Sequence, residues 1–399
     1  MPFDITDQLI AADTDHAELQ VFLSTLGDST SDDSKTTYGG WIEANFRKDG
    51  SFDSLTWLHG DRPSHLADGI IQKCRDALVE GPLTASSTSV FSLQPVTHVA
   101  RVDDVMQLIP APPAAPRPEF TYADHPAFLE VLYPSSPHPH VNSLRARRRQ
   151  SEMIELLTLI LAPYFSAPPP TDHEWVFVGD PLERLESQYR QVSYWPKCEW
   201  PTKDELGFSV VPDVTTMATL PAGTYYDQLG VSIDQVLSIP DSFGRAVRAY
   251  IGLPADDKAR FRRALHWFGV SRKVFPHSNS LAFSTLVFAI ESLLPPLAAA
   301  PRCAQCGLEQ RESISNRFRN FLDQHCRGIP KQDITSFIGK RSSFVHGGAL
   351  MMSDADDFFF RHTAPETKQR WELDVLRQVA QVVLINWLHQ AGAKPPEAA

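Results

Sequence analysis

In the stretch IGKRSSFVHGG, residues 338–348, an arginine and a histidine stand five positions apart as Arg341 and His346. Arginine is permanently charged and forks onto phosphate oxygens. Histidine changes charge near neutral pH and moves a proton. Together they have the chemistry to cleave a phosphodiester without a metal. RNA brings its own nucleophile in the 2′-hydroxyl, so Arg341 would hold the phosphate oxygens as negative charge builds there. His346 would act as general base or general acid. Five residues on an α-helix turn through about 500°, which leaves the two side chains about 140° apart. One ideal helix therefore does not aim both at one phosphate. Either the helix ends near residue 345, consistent with Gly347 and Gly348, and swings His346 round, or a second protomer supplies half of the site. As a bare spacing the pair is unspecific, and the surrounding sequence has to carry the reading.

Glu291 sits in an apolar run, where a carboxylate is costly unless paired. Its natural partner is Arg341 or His346, as an orienting group or as a structural ion pair. Cys303 and Cys306 have the spacing of a metal knuckle, and His325 with Cys326 would complete a tetrahedral site. A single CxxC is half of that signal, so a structural zinc and plain free thiols both stay open. Such a zinc would brace the insert after the apolar helix and take no part in cleavage. Phosphate-loop, serine-hydrolase and zincin motifs (GxxxxGK[ST], GxSxG, HExxH) are absent. His138 with His140, and Asp172, His173 and Glu174, fall in proline-rich surroundings that read as solvated loops.

The formal charge of −11 argues against nucleic-acid binding only if it is evenly spread, and it is not. Residues 1–250 carry 18 Lys and Arg against 34 Asp and Glu, residues 251–350 carry 14 against 7, and residues 351–399 carry 5 against 7. A basic block around Arg341 and His346 is what a polyanion needs, because local potential attracts it. Arg145, Arg147, Arg148 and Arg149 form a second cluster, where arginines oppose a helix dipole. It suits an anionic partner, or a solvated or internally paired face.

At 399 residues the chain has room for two or three domains. The longest apolar stretch, 281–297, is interrupted by polar residues and ends in prolines, which predicts no membrane span. The first residues are acidic and lack the basic and apolar regions of a secretory signal. Five scattered cysteines do not make a disulfide framework. A cytoplasmic protein is expected.

Proline-rich stretches at 110–118, 134–139, 163–170 and 295–301 read as linkers or surface loops. Residues 38–46 and 54–58 predict a β-hairpin, 87–99 a further strand, 142–161 a helix and 174–179 a buried strand. From about 256 the pattern turns helical, with expected helices starting near 256 and at 280–294, 311–325, 331–346 and 366–389. The helix at 280–294 is apolar nearly all round and is expected at the centre, capped by Ser280. The fold class read from this is multidomain. An acidic α+β region over 1–250, with a possible sub-boundary near 110–118, precedes an all-α bundle over 252–392.

Three features stand in order in that bundle: AIESLL at 289–294, ISNRFRNFL at 314–322, and the run from Ile334 that ends RSSFVHG at 341–347. They resemble the HEPN family, and within it the Apea-like group, over roughly the last third of the chain. The resemblance implies an all-helical domain that forms a homodimer, so that two Arg-x(4–6)-His motifs face a shared cleft. It implies a metal-independent endoribonuclease acting on tRNA or mRNA, with Arg341 and His346 catalytic and Ser342 matching the polar residue after the arginine. No cofactor is expected for catalysis. Antiviral defence or a toxin role, with the N-terminal region sensing a trigger, follows from the same resemblance. A non-catalytic HEPN scaffold for dimerisation or ligand binding is the alternative.

Overall fold

The computed structural model describes residues 79–92, 94–113, 125–137, 139–161, 200–227, 235–275, 277–295, 313–355 and 364–393. It also gives the backbone of strands at 4–12, 17–26, 37–46, 52–60, 165–166, 173–178 and 186–191. The chain divides into two compact units, residues 1–82 with 135–143, and residues 83–134 with 144–399.

In the first unit β1 (Asp4–Ala12), β2 (Ala17–Leu26), β3 (Thr37–Phe46) and β4 (Phe52–Gly60) form an antiparallel meander in chain order. The expected hairpin is β3 with β4, pairing Ala44 with Leu55 and Phe46 with Phe52.

The second unit begins with an antiparallel sheet of β5 (Leu83–Ser92), β6 (Ala100–Val102), β7 (Met106–Pro110), β8 (His125–Pro134) and β9 (Phe165–Ser166), in the order β6-β7-β8-β5-β9. The strand expected at 87–99 lies earlier in the chain as β5 and ends before Pro95, which has no N–H for a ladder. Side chains alternate across β8. Leu129 and Val131 enter the main core, whereas Phe128 packs on the other face with Ile109, Trp200 and Val211. On that second face the buried carboxylate of Glu130 accepts from Gln107 Nε2 at 2.7 Å, the Ser209 amide at 2.7 Å and Lys203 Nζ at 3.2 Å. So many donors offset the cost of burying its charge.

α1 (Pro139–Ile160) runs between β8 and β9, and after the sheet come the hairpin of β10 (His173–Val178) and β11 (Glu186–Gln191), and a short parallel pair of β12 (Thr219–Leu220) and β13 (Ile239–Pro240) with α2 (Ala222–Tyr226) between them. The C-terminal region is helical: α3 (Phe243–Ile251), α4 (Ala255–Val274), α5 (Asn279–Glu291), α6 (Ile314–His325), α7 (Lys331–Val345), α8 (Met352–Ala355) and α9 (Ala364–Gly392). α1 opens on a proline, whose missing N–H costs nothing there. α5 is the central helix, with ten of its thirteen residues buried.

These helices share one apolar cluster with the sheet. It joins Val90, Met106, Leu108 and Leu129 to Leu156 and Leu157 of α1 and on to Phe261, Phe283, Phe318 and Leu384. Residue 250, where the sequence changes character, is the buried Tyr250 of α3. α3 packs on α9, so closely that a Cβ added at Gly392 would lie 2.6 Å from the Ala249 Cβ. Among the described residues no helix is long and apolar enough to cross a membrane.

Candidate functional site

Positions 334, 337, 341 and 344 repeat at helical spacing and form the face of α7 turned to α5. Ile334 and Phe337 are buried, Phe337 and Phe344 both pack edge-on against Phe283, and Arg341 occupies the remaining place on that stripe. Arg341 is therefore held, not swung free. Its Nη2 donates to Glu291 Oε2 at 3.1 Å, and its guanidinium lies 5.1 Å from the centre of the Phe288 ring. Its Nε is buried with no partner among the described residues. Arg341 keeps 26% of its side-chain surface in solvent and Glu291 keeps 20%. Next to it, Lys340 pairs with Glu372 of α9.

α7 ends in a Schellman turn. The Gly348 amide donates to the Ser343 carbonyl at 2.8 Å and the Gly347 amide to the Phe344 carbonyl at 3.3 Å, with Gly347 at φ +70°. His346 is the C-cap, and its amide still donates to the Ser342 carbonyl at 3.1 Å. The chain thus changes direction after His346, not before it. Its Cβ stays about 140° round the axis from that of Arg341. The helix ends where the glycines predict, yet the ending does not carry His346 to Arg341. His346 and Ser342 are both exposed, and no hydrogen bond or ion pair to the His346 ring occurs among the described residues.

Glu291 closes α5, where a carboxylate opposes the helix dipole. Burial pushes its pKa above the usual carboxylate value, against the pull of Arg341. Of the two partners expected for it, the fold supplies Arg341. Arg260 holds the same helix end by donating to the Leu293 and Leu294 carbonyls at 2.7 and 3.1 Å. At the other end the N-cap is Ser278, two residues before the expected Ser280; its hydroxyl accepts from the Leu281 amide at 3.2 Å. Asp354 adds a second cap from far along the chain, accepting from the Asn279 and Ser280 amides at 2.8 and 2.7 Å and from the Ser278 hydroxyl at 2.8 Å. Burial raises the Asp354 pKa, but the hydrogen bonds from Ser280, Ser278 and Asn279 outweigh it and leave the group below its usual value. The Ser280 hydroxyl instead accepts from the Met351 amide at 2.7 Å, which ties the segment after His346 to α5.

Phe288 under Arg341 was legible, since it precedes Glu291 by three residues and so shares its face. Asp354 was not, because nothing local marks a cap more than seventy residues away.

Of the proposed zinc ligands, Cys303 and Cys306 lie outside the described residues, as do His138 and Asp172. His325 is buried at the end of α6, with its ring centre 4.4 Å from that of Phe321 and its Nδ1 without a partner. Cys326 follows as a free thiol whose pKa burial raises. Among the described residues no three His, Cys, Asp or Glu side chains gather as a metal site would require. Two of the four arginines at the start of α1 are paired with a carboxylate of the same helix. Arg148 and Arg149 meet Glu152 at 3.2 and 4.0 Å, and Arg149 Nε donates to the Leu132 carbonyl at 3.2 Å.

Comparisons with protein families, with curated proteins and with solved structures returned no match. The geometry of the Arg341 neighbourhood is thus the ground for a functional reading.

Proposed function

We propose that the chain is a metal-independent endoribonuclease that cleaves RNA through the RNA's own 2′-hydroxyl. The observation that carries this is an arginine clamped between Glu291 and Phe288 yet open to solvent, with an exposed histidine at the end of the same helix. Clamping removes rotamer freedom before the phosphate arrives, and the remaining guanidinium N–H groups are donors for its oxygens. The 2′-oxygen attacks phosphorus, the 5′-oxygen leaves, and a 2′,3′-cyclic phosphate remains. His346 takes the proton from the 2′-hydroxyl or returns one to the leaving oxygen.

Because Arg341 and His346 diverge on one helix, the reading needs a homodimer in which each protomer contributes to a shared cleft. Exposed apolar residues surround this end of α7 and support that. Val345 lies at its last turn, Leu350 precedes Met351, whose amide is bound to Ser280, Leu281 follows Ser280, and Trp371 adjoins Glu372. The HEPN resemblance supplies the wider reading: cytoplasmic action on tRNA or mRNA, in antiviral defence or as a toxin, with the N-terminal unit receiving the trigger.

The test incubates wild type, Arg341→Ala and His346→Ala with tRNA and mRNA in EDTA and maps the ends. Cleavage by wild type alone, leaving cyclic phosphate ends, is the expected outcome. Equal cutting by the variants, or a strict Mg²⁺ requirement, would sink the proposal. The Glu291–Arg341 pair also suits a second reading, a non-catalytic HEPN scaffold in which Arg341 is structural. That reading expects an intact dimer and no cleavage.

A further inference from the structure

The ring beneath Arg341 is one end of an aromatic row. Phe288 of α5 has the guanidinium 5.1 Å from its centre, and it meets Trp267 of α4 edge-on with ring centres 5.3 Å apart. His266 stands edge-on to the same indole at 5.4 Å. The pairing of two helices puts the row there. α4 and α5 run antiparallel, since Arg260 reaches the Leu293 and Leu294 carbonyls while Trp267, two turns further along α4, reaches Phe288. Arg263 lies between those two levels, one turn before Trp267 on the same face, exposed and with no ion pair among the described residues. The row reaches the surface. Phe288 and Trp267 are half-buried, His266 is exposed, and Arg341 keeps 26% of its side chain in solvent. Glu291, the carboxylate at this end of the row, is engaged by Arg341.

We propose that Trp267, with Phe288 beside it, is the stacking site for an unpaired nucleobase next to the phosphate held by Arg341, which makes single-stranded RNA the substrate class. The inference rests on the reading of Arg341 as a phosphate-holding residue, and it adds where the neighbouring base goes. Every base has a face that stacks on an aromatic side chain, so such a site tolerates any sequence. It does require the base to be splayed out, and a duplex keeps its bases stacked on one another. Trp267 is also packed against the core cluster, so the indole is held before RNA arrives and little side-chain entropy is lost on stacking. Arg263 is placed to meet the backbone phosphate of the same strand.

The experiment measures RNA binding to the full chain carrying His346→Ala, so that no strand is cut, at low salt, where backbone charge holds every probe. The probes are a single-stranded oligonucleotide, the same strand annealed to its complement, and an abasic ribose-phosphate strand of equal length. Stacking of one base on an aromatic ring changes affinity by roughly fivefold or more. Trp267→Leu is expected to weaken the single strand by that factor and leave the abasic strand unchanged, whereas Trp267→Phe keeps most of the affinity. A merely structural role would move both strands alike. The duplex is expected to bind more weakly than the single strand. Should Trp267→Leu fail to fold, the protein with Trp267 intact is irradiated with RNA carrying iodouracil, and the adduct is expected on Trp267. Unchanged single-strand affinity in folded Trp267→Leu, equal losses on the two strands, a duplex bound as tightly as the single strand, or adducts only outside Trp267 and Phe288 overturn the proposal. The two readings fail separately. Base-dependent binding lost in Trp267→Leu, but no cleavage by wild type, leaves the stacking site standing and removes the nuclease. Cleavage that Arg341→Ala abolishes and Trp267→Leu leaves unchanged, in rate and in affinity, does the reverse.

Discussion

Arg341 takes a core position on α7 and keeps a quarter of its side chain in water, so its surroundings set both its cost and its use. Glu291 offsets the buried charge, and the Phe288 ring supplies a face for the guanidinium. Glu291→Gln keeps the shape and loses the charge. Because the pair is only partly buried, the loss of stability should be about 1–2 kcal/mol, measured by urea unfolding. If Glu291 orients a working arginine, RNA cleavage per folded molecule should fall at least tenfold. A structural pair would cost the stability and leave the rate alone. Measuring both on one preparation separates the two roles.

At the scale of elements, two devices set where α7 ends and where α5 begins. Gly347 stands at φ +70°, where a side chain with a branched Cβ is strained. Gly347→Val should cost about 1–2 kcal/mol, read as a lower urea midpoint, and shift the turn that follows His346. Asp354 caps α5 with three hydrogen bonds, and Asp354→Ala should cost about 1–2 kcal/mol near neutral pH. Its folded pKa lies below its unfolded value. Its stabilisation is therefore fully present above about pH 4 and is lost as pH falls through the lowered folded value. Stability curves of wild type and Asp354→Ala should converge in acid, and a constant gap down to the lowest pH would contradict the capping role.

At the scale of the molecule, the helices after 252 do not own a core. Their buried faces meet α1, α3 and the sheet in one cluster. A fragment of residues 252–392 should therefore expose apolar surface, bind a hydrophobic dye and lack a cooperative thermal transition. A sharp transition in that fragment would show the helices to be self-sufficient. His389 reports on the same packing. Both of its ring nitrogens are buried without partners, and burial together with the nearby Arg245 lowers its pKa. A lowered histidine favours the neutral form in the fold, so stability should decline as pH drops below about 6.5, the unfolded value. His389→Phe should flatten that decline below about pH 6.5, measured by thermal unfolding as a function of pH.

The amino-acid sequence alone determined the local things. The periodicities at 280–294 and 331–346, the glycines that stop α7 and the hairpin of β3 and β4 all follow from neighbours a few residues apart, where side-chain pattern and backbone conformation act directly. It also marked Glu291 as in need of a cation, because an unpaired carboxylate in an apolar helix is costly. Only the tertiary structure decided which cation that is, that Asp354 reaches back to cap α5, and that Arg148, Arg149 and Arg262 share Glu152. It also joined the sheet to the helices in one core, although the sequence changes character near 250. The physical reason is the same in each case: burial and ion pairing depend on which surfaces meet across long stretches of chain, and no local periodicity encodes that meeting.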